Sequence, residues 1–269
     1  MSDTPIRLVV SDVDGTLITF DKDLTDETIR AARLLKEDNI LLSVTSARPP
    51  LGLAMLIKPL GISAPLGAFN GALMVNADMS VIHELAVDQD LVGPIIDALS
   101  ASALSVWVYQ GTNWFVRDLK GPHVSHESSV VQFHPTQLKD FDAVRHDVVK
   151  IVGVSDDPTV IAKGQEALRD FHISATTSQT YYLDVTHPQA NKGTVVEFLA
   201  KHFSIDTSSI ASIGDGGNDV AMFERSGVSI AMGNASDEVK ATALQVTTSN
   251  DDNGFANAME QFVLPRSRL

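Results

Sequence analysis

The chain has 269 residues, of which 44% are hydrophobic and 20% charged, and its formal net charge is −14. This composition is typical of a globular protein with one large or two ordinary domains, and it argues against disorder. The acidic balance argues against nucleic-acid and anionic-membrane partners, which need a basic surface, and the absence of cysteine excludes disulfides, thiolate metal sites and thiol catalysis.

The first third of the chain alternates short hydrophobic strands with helices. A buried strand is predicted at residues 8–11 and a second at residues 40–44. Between them, Thr25 is a suitable N-cap for a helix with an acidic first turn. This alternation predicts an α/β fold with a doubly wound, Rossmann-like parallel sheet.

The middle of the chain has a different pattern. Residues 105–109 and 114–117 flank a Gln-Gly-Thr-Asn turn, which predicts a β-hairpin, and a helix is predicted before it at residues 90–101. Further elements follow in strand, helix, strand order, at residues 148–154, 158–171 and 181–185. This order is typical of an α+β domain.

The α/β pattern returns in the last third of the chain. The predicted elements are helices at residues 194–202, 219–225 and 238–244 and strands at residues 210–213, 229–232 and 245–247. We therefore expect a discontinuous core domain formed by residues 1–82 and 188–269, with a second, α+β domain inserted at residues 83–187.

Residues capable of chemistry follow several of the predicted core strands. Asp12 and Asp14 come after the first strand, where an extended backbone points side chains two residues apart to the same side. Gly15 then permits a sharp turn. The other candidates are Thr45 and Ser46 after the second strand, Asp215, Asn218 and Asp219 after the strand at 210–213, and Lys192 at the start of a helix. The carboxyl ends of parallel strands are where such folds bind ligands.

Two alternative motifs are excluded by spacing. In a calcium-binding EF-hand loop, Gly15 at the sixth position would place Val10 at the first ligand position and Asp21 where a bidentate Glu belongs. The glycine-rich segment at residues 214–219 lacks the third glycine of a dinucleotide-binding fingerprint. Since this segment lies between a strand and a helix, its amides and carboxylates are expected to meet a ligand.

Four motifs in this order resemble those of the haloacid dehalogenase superfamily of aspartate-nucleophile phosphohydrolases. They read Asp-Val-Asp-Gly-Thr-Leu at 12–17, Thr-Ser-Ala-Arg-Pro at 45–49, Asn-Lys-Gly at 191–193 and Gly-Asp-Gly-Gly-Asn-Asp-Val-Ala-Met-Phe at 214–223. Accessory segments at 69–72, 231–235 and 249–254 also fit. The chain is most similar in organisation to the Cof-like branch, in which a large (type IIB) cap domain is inserted between the second and third motifs.

The resemblance implies a Mg²⁺-dependent phosphoric monoester hydrolase that acts on small phosphorylated metabolites, such as sugar phosphates, through an aspartyl-phosphate. Asp12 would be the nucleophile and Asp14 the general acid and base, so the surroundings of Asp14 should raise its pKa. Ser46 and Lys192 would hold the phosphoryl oxygens, with Thr45 as the alternative hydroxyl. The implied metal ligands are Asp12, Asp14 through its backbone carbonyl, Asp215 and Asp219. The further phosphate- or substrate-binding candidates are Gly15, Thr45, Arg48, Asn70, Gly71 and Asn218.

Some residues of the insert have weaker signals. The aromatic residues Trp107, Trp114, Tyr181 and Tyr182 favour a structural role over stacking on a substrate, since amphipathic strands use aromatic rings in the core. The irregular spacing of His123, His126 and His134 in a loop-like segment favours ordinary surface residues over a metal site.

Two alternative functions stay open. A phosphotransferase or phosphomutase would use the same aspartyl-phosphate, with a sugar hydroxyl in place of water. A non-catalytic phospho-aspartate signalling module is a third possibility, against which the length, the insert and Asp14 argue.

Because the chain shows neither a secretion signal nor a run of roughly 18 apolar residues, we expect a cytoplasmic protein. The expected oligomeric state is a monomer or weak homodimer.

Overall fold

The computed structural model describes residues 4–267. Its strands are β1 (Leu8–Ser11), β2 (Leu41–Val44), β3 (Leu66–Ala68), β4 (Leu73–Val75), β5 (Val81–Glu84), β6 (Ser105–Gln110), β7 (Asn113–Val116), β8 (Thr136–Gln137), β9 (Val148–Val154), β10 (Ser174–Gln179), β11 (Tyr182–Thr186), β12 (Ile210–Gly214), β13 (Val228–Ala231) and β14 (Gln245–Val246). Its α-helices are α1 (Asp26–Glu37), α2 (Ala54–Leu60), α3 (Gln89–Ala101), α4 (Val124–Val131), α5 (Pro158–Ala167), α6 (Lys192–Phe203), α7 (Val220–Phe223), α8 (Asp237–Lys240) and α9 (Gly254–Ala258).

A parallel sheet, here named the core sheet, has the strand order β14-β13-β12-β1-β2. Strand β1 lies between β12 and β2 and is buried along its whole length, which explains why the sequence there is almost continuously hydrophobic. The register pairs Ser11 with both Ile213 of β12 and Val44 of β2. The three strands therefore end at the same edge of the sheet, and the predicted parallel α/β core is confirmed.

A second sheet, here named the cap sheet, has the strand order β10-β11-β9-β6-β7-β8 and is antiparallel except between β7 and β8. The predicted hairpin is present, because β6 and β7 are joined at Gly111, whose φ of +54° is a conformation that favours glycine. One face of the cap sheet packs against α3 and α5 through a hydrophobic cluster that includes Val106, Val108 and Ile151.

A small antiparallel sheet of β3, β4 and β5 adjoins the core sheet through a bridge between Thr45 and Gly67. The predicted boundary after residue 82 falls inside β5, and the second one, after residue 187, falls just beyond β11. The division at these two points stays a prediction.

Several element ends differ from the prediction. The helix predicted to reach Phe171 ends at Ala167, where the chain begins a series of turns. The helix predicted to reach Leu244 ends at Lys240, because the Leu244 N–H bonds to the Ser229 side chain and directs the chain into β14. The helix predicted at 219–225 is reduced to α7, since residues 217–219 form a 3-10 turn.

The segment from 123 to 134 is also different from the expectation, because helix α4 replaces the expected loop. Among residues 4–267, no helix combines the length and hydrophobicity that a bilayer crossing demands.

Candidate active site

The candidate site lies at the edge where β1, β2 and β12 end. The Asp12 N–H donates to the Ile213 carbonyl over 2.9 Å, and the Thr45 N–H donates to the Ser11 carbonyl over 2.9 Å. These bonds continue the parallel ladder by one residue and place Asp12 beside Asp215, the residue after β12. The strand ends therefore bring together side chains that are far apart in sequence.

Lys192 is the buried cation of the site. Its Nζ donates to Asp12 Oδ1 over 2.5 Å and to Asp219 Oδ1 over 2.6 Å, and its side chain is 1% exposed. Burial lowers the pKa of Lys192, but the two carboxylates outweigh burial and raise that pKa, so Lys192 is protonated. Asn191 fixes the start of α6 by accepting hydrogen bonds from the N–H groups of Gly193 and Thr194.

The carboxylates around Lys192 are crowded. Burial and the charges of Asp219 and Asp215 raise the pKa of Asp12 well above its ordinary value, although Lys192 opposes them. Burial and Asp219 likewise raise the pKa of Asp215. The Thr16 hydroxyl lies between them, 3.4 Å from Asp12 Oδ2 and 3.2 Å from Asp215 Oδ1. The site therefore has more negative charge than its own residues neutralise.

The acidic cluster is suited to a divalent metal ion. Asp12, Asp215 and Asp219 each offer one carboxylate oxygen, and these oxygens lie within 4.8 Å of one another. Hard oxygen donors of this kind suit Mg²⁺. Asp219 is already occupied, because its Oδ1 contacts Lys192 and its Oδ2 accepts the N–H groups of Asp215 and Gly216. Asp12 and Asp215 are therefore better placed to bind metal directly. Asp219 supports them through its contacts with Lys192 and with the backbone of Asp215.

Gly15 and Asn234 shape the other side of this cluster. Gly15 has a φ of +80°, and a Cβ added to it would lie 2.4 Å from Asp215 Oδ2. Asn234 donates to the Gly15 carbonyl over 2.9 Å and to Asp215 Oδ2 over 3.2 Å. Asn234 was missed as a site residue, although its segment at 231–235 carried a family motif that could have indicated it.

The expectation for the pKa of Asp14 is wrong in this structure. Burial raises the pKa of Asp14, but Arg48 and Lys22 outweigh burial and lower it below the ordinary value. Arg48 makes a two-pronged contact, with Nε and one terminal nitrogen each 2.7 Å from an Asp14 oxygen. Lys22 Nζ lies 2.9 Å from Asp14 Oδ1. No sequence signal pointed to Lys22.

The two hydroxyls of the second motif have different surroundings. Ser46 Oγ is buried and accepts the Arg48 N–H over 3.1 Å, so its own proton is available to a ligand. Thr45 Oγ1 is buried and finds no hydrogen-bond partner in the described part of the chain, and it lies 3.0 Å from the position that a Cβ on Gly67 would occupy.

The loop after β3 contacts the second, third and fourth motifs. Asn70 has a left-handed backbone, its N–H donates to the Ser46 carbonyl over 2.8 Å, and its Oδ1 accepts from Asn218 Nδ2 over 3.1 Å. Gly71 is required beside it, because a Cβ there would lie 2.6 Å from the Asn191 carbonyl. Asn70, Gly71 and Asn218 thus border the site.

The aromatic residues of the insert are mainly structural. Trp107, Trp114 and Tyr182 are buried. His123 stacks on Tyr181 with ring centroids 3.9 Å apart, and its Nε2 lies 2.6 Å from Asp156 Oδ1. His126 and His134 are exposed, and no group of metal-binding geometry includes a histidine among residues 4–267.

Comparison with known proteins places these features in a family. Residues 9–259 match the family described as haloacid dehalogenase-like hydrolase. A Haemophilus influenzae protein named as a presumed phosphatase is 31% identical over 263 residues, or 95% of this chain and 97% of that protein. A Bacillus subtilis protein named 5-amino-6-(5-phospho-D-ribitylamino)uracil phosphatase is 26% identical over 283 residues, or 96% of this chain and 98% of that protein.

A solved structure of a haloacid dehalogenase-like hydrolase from Bacteroides thetaiotaomicron has the same fold. It superposes with a TM-score of 0.88 at 25% sequence identity, covering 95% of this chain and 99% of that one. The chain therefore belongs to the haloacid dehalogenase-like hydrolase family, as its Cof-like motifs predict, and it is a phosphoric monoester hydrolase.

Proposed function

We propose that this enzyme is a Mg²⁺-dependent phosphatase of small phosphorylated metabolites, in which Asp12 attacks the phosphorus atom of the ester. The observation that carries this proposal is the contact of a buried lysine with two carboxylates of a three-carboxylate cluster at the strand ends. A catalytic carboxylate needs neighbouring positive charge to approach a phosphate dianion. Lys192 supplies one such charge, and the unbalanced carboxylates support a divalent cation as another.

The metal would be held by Asp12, Asp215 and the backbone carbonyl of Asp14, with Asp219 in support. The chemistry supplied by bound Mg²⁺ is neutralisation of charge between the attacking carboxylate and the phosphate. Lys192 and the Ser46 hydroxyl would bind the phosphoryl oxygens, and Asn70, Gly71 and Asn218 would border the substrate.

The two chemical steps share Asp12 and Asp14. A bond forms between an Asp12 oxygen and phosphorus as the ester P–O bond breaks, which gives an aspartyl-phosphate. The Asp14 carboxyl gives its proton to the leaving alkoxide, and it then takes a proton from the water that attacks the same phosphorus. Inorganic phosphate leaves and the Asp12 carboxylate is restored.

The contact between the Asp14 carboxylate and the Arg48 side chain must break before Asp14 can carry a proton. The two-pronged contact lowers the pKa of Asp14, which keeps it ionised and unsuited to donate a proton. A bound phosphate offers Arg48 another anion, and loss of the Asp14–Arg48 contact would let the pKa of Asp14 rise.

Hydrolysis of p-nitrophenyl phosphate tests the proposal. We expect turnover that is lost in EDTA and restored by Mg²⁺, and an Asp12→Asn variant that is at least roughly a thousandfold slower in kcat. Undiminished turnover in Asp12→Asn would contradict the assignment of the nucleophile. With a hexose phosphate, isomerised product in place of free phosphate would indicate a phosphomutase. The cytoplasmic location and the monomeric or weakly dimeric state stay predictions from the sequence.

A further inference from the structure

The second face of the cap sheet, here named the cap face, carries charged residues among aromatic rings. Residues directly opposite in an antiparallel pair share a face, and the register places Lys150 opposite Tyr109 and Asp184 opposite Val152. Trp107 is also opposite Val152 and lies on the same face. Trp107, Tyr109 and Val152 belong to the same hydrophobic cluster as buried residues of the core sheet. The cap face is therefore directed at the core.

The polar groups of the cap face are buried and incompletely paired. Lys150 Nζ lies 2.7 Å from Asp184 Oδ2, and the two residues are 7% and 4% exposed. The other Asp184 oxygen and the indole N–H groups of Trp107 and Trp114 are buried and have no hydrogen-bond partner within residues 4–267. Burying a charge pair is costly, and buried polar atoms are nearly always partnered. A molecule with hydroxyl groups would supply the missing partners.

Phe69 connects the cap face to the candidate active site. Its ring centroid lies 5.0 Å from that of Tyr109 and 5.7 Å from Lys150 Nζ. Its backbone N–H donates to the Arg48 carbonyl over 3.0 Å, and the next residue, Asn70, bonds to Asn218. Phe69 and Asn70 therefore connect the Lys150–Asp184 pair to the second and fourth motifs of the candidate active site.

Glu127 of α4 adds a second carboxylate beside this pair. It accepts a hydrogen bond from the Tyr182 hydroxyl over 3.2 Å, and Tyr182 is two residues from Asp184 on the same strand. Burial raises the pKa of Glu127 and Lys150 opposes this rise. Burial and the contact with Asp14 have the largest effects on the pKa of Arg48, and the charge of Glu127 also raises this pKa. Glu127 is therefore in electrostatic reach of both the cap face and the active site.

We propose that Lys150, Asp184 and Glu127 bind the leaving group and select an alcohol that carries hydroxyl groups and no second anionic group. This inference rests on the proposed phosphatase function. A hydroxyl both donates and accepts, so it can pair with the ammonium and with either carboxylate. A second phosphate would meet one ammonium and two carboxylates, since Arg48 is engaged either by Asp14 or by the reacting phosphate, and the surplus negative charge disfavours it.

The first test compares leaving groups in a variant without the charge pair. Lys150→Met combined with Asp184→Asn removes both charges together, so no lone buried charge opposes folding. We expect kcat/KM for glucose 6-phosphate to fall about 10- to 100-fold, as the loss of hydrogen bonds to charged groups implies. Turnover of p-nitrophenyl phosphate, whose leaving group has no sugar hydroxyls, should change little. An equal loss on both substrates would overturn the inference.

The second test concerns charge. Wild-type enzyme should prefer glucose 6-phosphate to glucose 1,6-bisphosphate, and Glu127→Gln should reduce this preference several-fold. A wild-type preference for the bisphosphate would contradict the proposal. Lys163→Met serves as the control, because Lys163 is an exposed residue of α5 behind the opposite face of the cap sheet, and it should leave both ratios unchanged. If wild type with Mg²⁺ hydrolyses none of these esters, the proposed function itself is wrong and this inference falls with it.

Discussion

At the scale of single residues, the balance of charge around Lys192 is the dominant feature of the site. One ammonium contacts two of three clustered carboxylates, so the cluster keeps a surplus of negative charge in a protein whose net charge is already −14. The raised pKa values of Asp12 and Asp215, due first to burial, express the same surplus. A divalent cation at the free oxygens would restore both carboxylates to their charged form.

Gly15 is predicted to be necessary for metal binding. In Gly15→Ala, the new Cβ would be forced into the Asp215 carboxylate, 2.4 Å away, and the backbone would keep a φ of +80°. We expect the Mg²⁺ concentration for half-maximal activity to rise at least about tenfold and stability to fall by about 1–3 kcal/mol. A Mg²⁺ titration of turnover and a thermal unfolding curve measure the two effects.

Gly111→Ala is the matched control for this prediction. Gly111 also has a positive φ, of +54°, but apart from its two chain neighbours no atom of residues 4–267 lies within 4 Å of an added Cβ. Its substitution should cost only the backbone strain, about 1–2 kcal/mol, and leave the Mg²⁺ titration unchanged. If Gly15→Ala binds Mg²⁺ as Gly111→Ala does, Asp215 is not a ligand of the metal.

The sequence predicted which residues stand at the strand ends, with Arg48 as a phosphate-binding candidate, but it did not predict that Arg48 and Lys22 contact Asp14. The positions of Asp12 and Asp14 follow from a buried strand and a two-residue spacing, which are local properties. The lowered pKa of Asp14 depends on Arg48, which lies 34 residues away in the chain, and on Lys22 in a turn with positive φ. Such contacts depend on tertiary structure, and no local pattern contains them.

At the scale of elements, the start of α6 determines the position of Lys192. Asn191 Oδ1 accepts the N–H groups of Gly193 and Thr194, which satisfies donors at the helix start that have no partner within the helix. Because Lys192 is the first residue of this helix, the N-cap residue Asn191 and the buried cation of the site are adjacent. Loss of the Asn191 N-cap should therefore affect activity as well as stability.

Asn191→Ala tests this connection. We expect a loss of about 1 kcal/mol of stability, typical of an N-cap, together with a fall in kcat of at least about tenfold, since Lys192 would shift relative to Asp12. Asp157→Ala is the control, because Asp157 caps α5 through the Thr159 N–H and does not belong to the acidic cluster. It should show the same stability loss with unchanged kcat. Equal kcat in the two variants would show that the Asn191 N-cap does not contribute to catalysis.

Elements were predictable where their signal was local. β1 and β9 have the predicted bounds because continuous hydrophobic runs define them, and α1 begins after Thr25 because that side chain accepts the Thr28 N–H. The end of α8 was not predictable, since it is set by a hydrogen bond from Leu244 to Ser229 on another strand. Helix α4 was missed because its sequence has a weak amphipathic pattern and left-handed residues at both ends.

At the scale of the whole molecule, the face of the cap sheet that meets the core could not be predicted. Both faces of β6 are hydrophobic, with Val106 and Val108 on one side and Trp107 and Tyr109 on the other, so alternation alone does not distinguish them. The distinction comes from α3 and α5, which cover the valine face. The aromatic face is then left to meet the core.

Access to the site requires this arrangement to open. Asp12 is 5% exposed and Lys192 is 1% exposed, so a phosphate ester needs more room beside these two groups than this arrangement leaves. The contact of α4 with residues 50–53 is one point that must separate, because a Cβ on Gly52 would lie 3.3 Å from Val131 Cβ. Movement of the cap is therefore expected in every catalytic cycle.

A disulfide across this contact is predicted to stop turnover reversibly. The two Cβ positions lie 3.3 Å apart, slightly closer than the roughly 3.5–4.5 Å of natural disulfides, so a small shift would allow the bond. The chain has no cysteine of its own, so Gly52→Cys with Val131→Cys would form one defined bridge. Turnover of p-nitrophenyl phosphate should fall at least about tenfold in the oxidised protein and recover with dithiothreitol, because the bridge prevents release of the cap. The two single-cysteine variants should not respond to dithiothreitol. If the bridged enzyme, verified by mass spectrometry, turns over as fast as its reduced form, substrate enters without separation of α4 from the core.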